Sequence, residues 1–197
     1  KGMHGITANK GPVVYAYKKL TELAQAKGLK FRFESAVMDG APIFSLYRKT
    51  LAGAEIEGFE GILNSCTNLL IEAMEAGTPL DEAIKHAQEI GIAESDPSND
   101  VDGWDAAIKV AALSTVLMNH PITPLDVDRT GIRGITAQDI AEAKAEGKRL
   151  KLVCRGGWND GQFIAEVKPE KVAAGSPLYS VSGTSSFVSF ALDVLPG

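Results

Sequence analysis

A chain of 197 residues, 45% hydrophobic and 23% charged, has the length and composition of one ordinary globular domain with enough apolar residues for a real core. Its formal net charge of −5 argues against a nucleic-acid partner and an anionic membrane surface, and no apolar run approaches the length of a membrane span. The two cysteines, Cys66 and Cys154, match no metal-ligand spacing, so a reducing, cytoplasmic setting is expected.

In chain order, residues 3–10 read as a short strand ending in a polar corner at Lys10. Pro12 suits a helix start, and Val13 to Lys27 carry an amphipathic stripe stopped by Gly28. Phe31 to Val37 alternate as a half-buried strand. After the turn around Gly40, Ile43 to Leu51 read as helix. Ala54 to Leu63 read as a strand with Ile56, Gly58, Glu60 and Ile62 on one face. The small polar run Asn64 to Asn68 then leads into a helix from Leu69 to Ala76, with Ser65 or Thr67 as its cap. Thr78-Pro79 opens the next helix, which runs to about Ile90.

The stretch from Gly91 to Lys109 holds the most chemistry. Its first half is turn-rich and acidic, with Glu94, Asp96, Asp100 and Asp102. From about Asp102 the apolar spacing becomes helical and continues to Met118. Asp105 and Lys109 are four apart and share a helical face. Ser98, Asp100, Asp102 and Gly103 match the first positions of a calcium loop. The twelfth position would be Lys109, where a bidentate glutamate is required, so that reading is rejected.

A second Thr-Pro helix start lies at residues 122–128, and a short charged helix at 136–147. The last third is β-rich, with strands expected at 149–154, 162–167, 178–181 and 186–194. Helices first and strands last predict an α+β fold, a mostly antiparallel sheet covered on one side by helices. No dinucleotide fingerprint, phosphate loop or nucleophile elbow is present in these residues. An ammonium such as Lys109 beside carboxylates can donate a proton to a carbonyl oxygen that gains charge, and a carboxylate such as Glu94 can bind a substrate ammonium.

The stretches ITANKGPV (6–13), FESAVMDGAPI (33–43), GFEGILNSCTN (58–68), EAIKHAQEIGIAESDPSNDVDGWDAAIK (82–109) and VSGTSSFVSFALDVL (181–195) are collinear and together resemble the catalytic and dimerisation domain of homoserine dehydrogenase. The resemblance implies NAD(P)-dependent interconversion of L-homoserine and L-aspartate 4-semialdehyde. Lys109 would be the general acid/base and Asp105 its orienting partner. Glu94 and Asp100 would bind the substrate, with Asn64, Ser65, Cys66 and Thr67 lining its pocket. Asn9 and Lys10 would lie beside the NADP or NAD. A structural sodium would be held by Glu34 and the carbonyls of Val37, Asp39 and Ala41.

The resemblance also implies a homodimer, and a chain set into a dinucleotide-binding domain not contained in these residues. Residues 1–12 and 190–197 would form the junctions, and alone the chain would be inactive. Cys66 stands where the family usually has threonine, and Leu69 where it has an aromatic residue. An oxidoreductase acting on another small hydroxy acid, or a non-catalytic dimerisation or regulatory module, are the alternative readings.

Overall fold

A computed structural model describes residues 2–51 and 53–194. Residue 1 and residues 195–197 of the two expected junctions lie outside the described residues. The chain opens on β1 (Gly5–Ile6), which pairs in parallel with β2 (Phe31–Arg32). Between them runs α1 (Lys10–Ala26). Lys10 is therefore the first helical residue rather than part of a strand. Asn9 sits at the cap with its side-chain oxygen accepting from the Gly11 N–H at 2.8 Å, which satisfies one of the amides a helix start leaves open.

The strand expected over Phe31 to Val37 stops after two residues and gives way to α2 (Ser35–Met38). The alternation there reflects tertiary packing, not a sheet. Phe33 is buried against Tyr17, Phe31 and Phe44, with ring centroids 5.2–5.6 Å apart, and Ala36 and Val37 bury on the one helical turn. Next come α3 (Ile43–Thr50), β3 (Ile56–Ile62) and α4 (Ser65–Glu75). The last starts four residues earlier than expected, because Asn64 is the cap rather than Ser65 or Thr67: its Oδ1 accepts from Thr67 N–H at 2.7 Å. Helix α5 (Leu80–Glu89) follows Pro79, with no side-chain cap from Thr78.

The helix expected from about Asp102 to Met118 is found as a single helix, and the turn-rich stretch before it holds one helical turn. A single turn, α6 (Ser98–Val101), is separated from α7 (Trp104–Leu117) by Gly103. Gly103 has φ 79°, a left-handed conformation that glycine adopts without a Cβ penalty, and this turn brings Asp105 into the first turn of α7. Ten residues of α7 are buried, so it is the central helix, not an amphipathic surface one. Alanines at 106, 107, 111 and 112 are fully buried and let its neighbours approach closely.

A five-stranded sheet forms from β3, β4 (Asp128–Arg129), β5 (Lys148–Asn159), β6 (Gln162–Ala173) and β7 (Phe187–Leu192), in the order β4-β6-β5-β3-β7. All its pairings are antiparallel except β4–β6. Helix α8 (Ala137–Ala145) is capped by Thr136. The β5–β6 hairpin turns at Asp160-Gly161, both at positive φ, which is the two-residue turn Asp-Gly favours. Both strands outrun the expected six residues. Pro169 is tolerated in β6 because β4 pairs only with Glu166 and Val167, leaving the strand beyond them at an edge. Residues 177–180 form a 3-10 turn capped by Ser176, not the strand expected at 178–181.

Cross-strand partners share a sheet face. Leu150, Leu152, Cys154, Ala165 and Val167 join the helices in the main core. On the opposite face Ile62, Val153 and Val172 pack on Leu178 and Val181 of the 3-10 turn region in a second, small cluster. The bulge between Ile56 and Gly58 breaks the expected single face of β3: Ile56 and Phe59 enter the main core, Ile62 the small one. Each fully buried Leu or Ile contributes about 1.5–3 kcal/mol relative to exposure.

Candidate active site

The start of α7, the start of α1 and the junction of β3 with α4 meet at one cluster. Lys109 Nζ lies 2.9 Å from Asp105 Oδ2, one helical turn apart. Lys10 Nζ, from α1, lies 3.1 Å from Asp105 Oδ1. The Asn64 amide donates to Asp105 Oδ2 at 2.9 Å and to Asp100 Oδ1 at 2.6 Å. Lys109 Nζ also donates to the Leu63 carbonyl at 2.6 Å. One carboxylate thus receives two ammoniums and an amide.

Exposure grades across the cluster. The side chains of Lys10, Asp105 and Lys109 are 30%, 20% and 15% exposed. Burial by itself would raise the Asp105 carboxyl, but Lys109 and then Lys10 outweigh it and hold it below the ordinary aspartate value. Asp105 is therefore a carboxylate at neutral pH. The Cys66 thiol is pushed up to about 12 by burial and by the Asp100 carboxylate it donates to, so it is a neutral donor and no nucleophile. Cys154 is pushed up to about 12, chiefly by burial.

A cleft of about 730 Å³ opens beside the cluster, lined by Asn9, Lys10, Tyr15, Asn99, Trp104, Asp105, Ile108, Pro124 and Leu125. It has an apolar side and a charged side, the mix expected of a small-molecule site. Lys109 uses two of its three N–H groups on acceptors among the described residues, Leu63 O and Asp105. One donor remains.

Of the residues singled out in the sequence, Lys10, Asn64, Asp100, Asp105 and Lys109 come together, with Cys66 behind Asp100. Asn9 lines the cleft. Ser65 is half-buried in the first turn of α4, and Thr67 is fully buried, its hydroxyl donating to the Asn64 carbonyl. Glu94 stands exposed in the loop between α5 and α6. Its backbone carbonyl accepts from Gln88, and its carboxylate makes no ion pair with the cluster among the described residues. The Leu63 carbonyl, Tyr15, Trp104 and Leu125 were not anticipated. The 81% exposure of a leucine at 125 has no counterpart in periodicity. Arg129 stacks on Trp104 at 3.6 Å from the ring centroid and donates to the Asp102 carbonyl, which braces the Gly103 turn.

The residues expected around a cation flank the turn between α2 and α3. Glu34 Oε1 accepts from the Phe44 and Ser45 N–H groups at 2.8 and 3.0 Å, and Oε2 accepts from the Ser45 hydroxyl. Glu34 thus caps α3 and is not simply solvated. Val37 is the last residue but one of α2, Asp39 turns the chain at φ 46°, and the Ala41 carbonyl accepts from Ile43 at 2.9 Å. These are hard oxygen donors of the type that suits a cation, but one carboxylate oxygen already has two donors. No group of three His, Cys, Asp or Glu side chains able to hold a metal occurs among the described residues.

Residues 42–196 match the family profile described as homoserine dehydrogenase. The chain is 38% identical over 196 residues to an NAD(+)-dependent homoserine dehydrogenase of Pseudomonas canavaninivorans and 41% identical over 192 residues to a homoserine dehydrogenase of Methanocaldococcus jannaschii. Those alignments cover 99% and 97% of the chain but 56% of each relative. In structure it is similar to a putative homoserine dehydrogenase of Archaeoglobus fulgidus, with TM-score 0.91 and 33% identity, over 99% of this chain and 59% of that one. A homoserine dehydrogenase of Thiobacillus denitrificans gives TM-score 0.91 and 31% identity over 98% of this chain and 45% of that one. The α+β fold and these matches place the chain in the homoserine dehydrogenase family of oxidoreductases. It spans little more than half the length of the curated relatives named above.

Proposed function

We propose that this chain is the substrate-handling and dimerisation part of an NAD(P)-dependent homoserine dehydrogenase, interconverting L-homoserine and L-aspartate 4-semialdehyde in threonine and methionine biosynthesis. The observation that carries the reading is the Lys10–Asp105–Lys109 cluster at the edge of the cleft. Asn9 and Lys10 would lie beside a nicotinamide dinucleotide, NAD or NADP, held chiefly by a dinucleotide-binding domain, which when bound would supply or take up the hydride. Lys109 gives its remaining proton to the aldehyde oxygen as that oxygen becomes a hydroxyl, and takes it back in the reverse direction. Asp105 holds the ammonium in line, and Lys10 adds a second positive charge next to the developing oxyanion. Such general acid assistance contributes about 10²–10⁴-fold, and preorganised charge adds to it.

The substrate ammonium is assigned to the acidic stretch from Glu94 to Asp100, with Glu94 the exposed carboxylate there. A monovalent cation such as sodium is assigned to Glu34 Oε2 with the carbonyls of Val37, Asp39 and Ala41. A second copy of the chain is the proposed partner of the sheet face opposite the helices, where a groove of about 420 Å³ runs over Gly58, Gly157, Ile164 and Ala191; light scattering reads that dimer. Two buried free cysteines fit a reducing compartment such as the cytoplasm.

The test is to join the chain to its dinucleotide-binding part and assay oxidation of L-homoserine, L-threonine and L-serine with NAD⁺ and NADP⁺. Oxidation of homoserine in preference to the others is expected. Preference for another hydroxy acid, or no turnover with either cofactor, overturns the assignment.

A further inference from the structure

Asn64 is 4% exposed, and each polar atom of its amide has a partner. Oδ1 accepts from Thr67 N–H. Nδ2 has two N–H groups and spends them on Asp100 and Asp105. The opposite amide orientation would put an oxygen against two carboxylates, so electrostatics fixes the NH₂ group between them. No donor and almost no surface remain for a substrate. The neighbouring residue, Leu63, supplies the carbonyl that accepts from Lys109. Two consecutive residues at the end of β3 therefore set the positions of both the ammonium and its carboxylate.

We propose that Asn64 is a positioning residue, whose amide ties the Asp105 carboxylate to Asp100 and to the start of α4 and so aims Lys109, rather than a ligand of the substrate. The proposal rests on Asp105 and Lys109 being the reacting pair. The groups that face Asp105 are Lys109 on its own helix, Lys10 on α1, Asp100 on α6 and the neutral Cys66 thiol on α4. A charge-assisted hydrogen bond to a carboxylate favours its ionised form, so losing the Asn64 donor moves the Asp105 titration upward.

Asn64→Ser separates this role from capping, because serine keeps an oxygen for Thr67 N–H while removing the amide donors. Carbon-detected NMR of the aspartate carboxyls in the chain itself reads the result. The Asp105 midpoint is expected to rise by about half a unit or more in the folded variant. In the unsubstituted chain the Asn64 NH₂ protons are expected to titrate with the Asp105 midpoint. Either an unchanged Asp105 midpoint in folded Asn64→Ser, or Asn64 protons that do not follow Asp105, overturns the proposal; the second measurement holds even where the variant fails to fold. In the enzyme assembled with its dinucleotide-binding part, kcat is expected to fall about tenfold, the scale of one 1.4 kcal/mol interaction, with little change in KM. A raised KM with intact kcat overturns the positioning role. An unsubstituted enzyme with no dehydrogenase activity would count against the functional reading alone, since the NMR result stands without it.

Discussion

Through two asparagines one turn apart, the start of helix α4 serves two lysines in opposite ways. Its cap, Asn64, belongs to the Lys109 cluster, while Asn68 belongs to a second cluster around Lys151. Lys151 is fully buried, and its Nζ reaches Asn68 Oδ1 at 2.7 Å, the Val181 carbonyl at 2.6 Å and Glu72 Oε1 at 3.4 Å. Glu72 also receives Arg149 at 2.9 Å and the Gly183 N–H at 2.7 Å. All three donors of Lys151 are spent and no solvent reaches it. Lys109 has the same chemistry with one donor left among the described residues, in a cluster whose Lys10 and Asp105 line the cleft. Saturation makes the first a fastener for the 181–183 segment; the open valence leaves the second able to act as the proton donor proposed above.

The contrast is tested most strongly at the lysines themselves. Lys109→Met in the assembled enzyme is expected to lower kcat by about 10²–10⁴-fold with the fold retained by circular dichroism. Near-normal turnover would remove Lys109 from the chemistry. Lys151→Met is expected to do the reverse. Removing one partner of a buried, hydrogen-bonded ion group strands the others. Because Arg149 still holds Glu72, the loss is set at about 2–3 kcal/mol in urea unfolding, at the low end for such groups. The activity of the folded fraction should be unchanged. A lysine at 151 that proves dispensable for stability would break the contrast.

The smallest effect lies in acid. Burial raises both carboxyls, yet Asp105 is held below its ordinary value by Lys109 and Lys10, and Glu72 below its own by Gly183 N–H, Arg149 and Lys151. A carboxylate depressed in the folded state contributes stability that is complete above its unfolded pKa, near 3.9 for Asp and 4.3 for Glu, and is lost as pH falls through the folded value. Asp105→Asn and Glu72→Gln should each flatten the fall of unfolding free energy on acidification below about pH 4. Equal slopes in variants and parent would show that neither carboxylate is coupled to folding.

Local chemistry was readable in the sequence where the interaction is local. The Asp105–Lys109 pair follows from four-residue spacing, the short charged helix at 136–147 is found as α8, and the β-rich last third predicts the sheet. What joins Lys10 and Asn64 to Asp105 is separated by 95 and 41 positions, and no periodicity carries that; the family resemblance named these residues, and the structure shows which atoms meet. The Phe31–Val37 stretch misled because three aromatic neighbours bury Phe33 without a partner strand. Glu94 and Thr67 were also named by resemblance, and their surroundings differ: the first is exposed in the loop before α6, the second is buried in α4.

Lys10 and Lys109 stand against Asp100 and Asp105, so the cluster is close to electroneutral. The amino-acid substrate proposed above is a zwitterion, and its entry would leave the local charge sum unchanged. Long-range attraction then has little to act on, and encounter is governed by diffusion into the cleft and by short-range contacts, with only weak sensitivity to ionic strength.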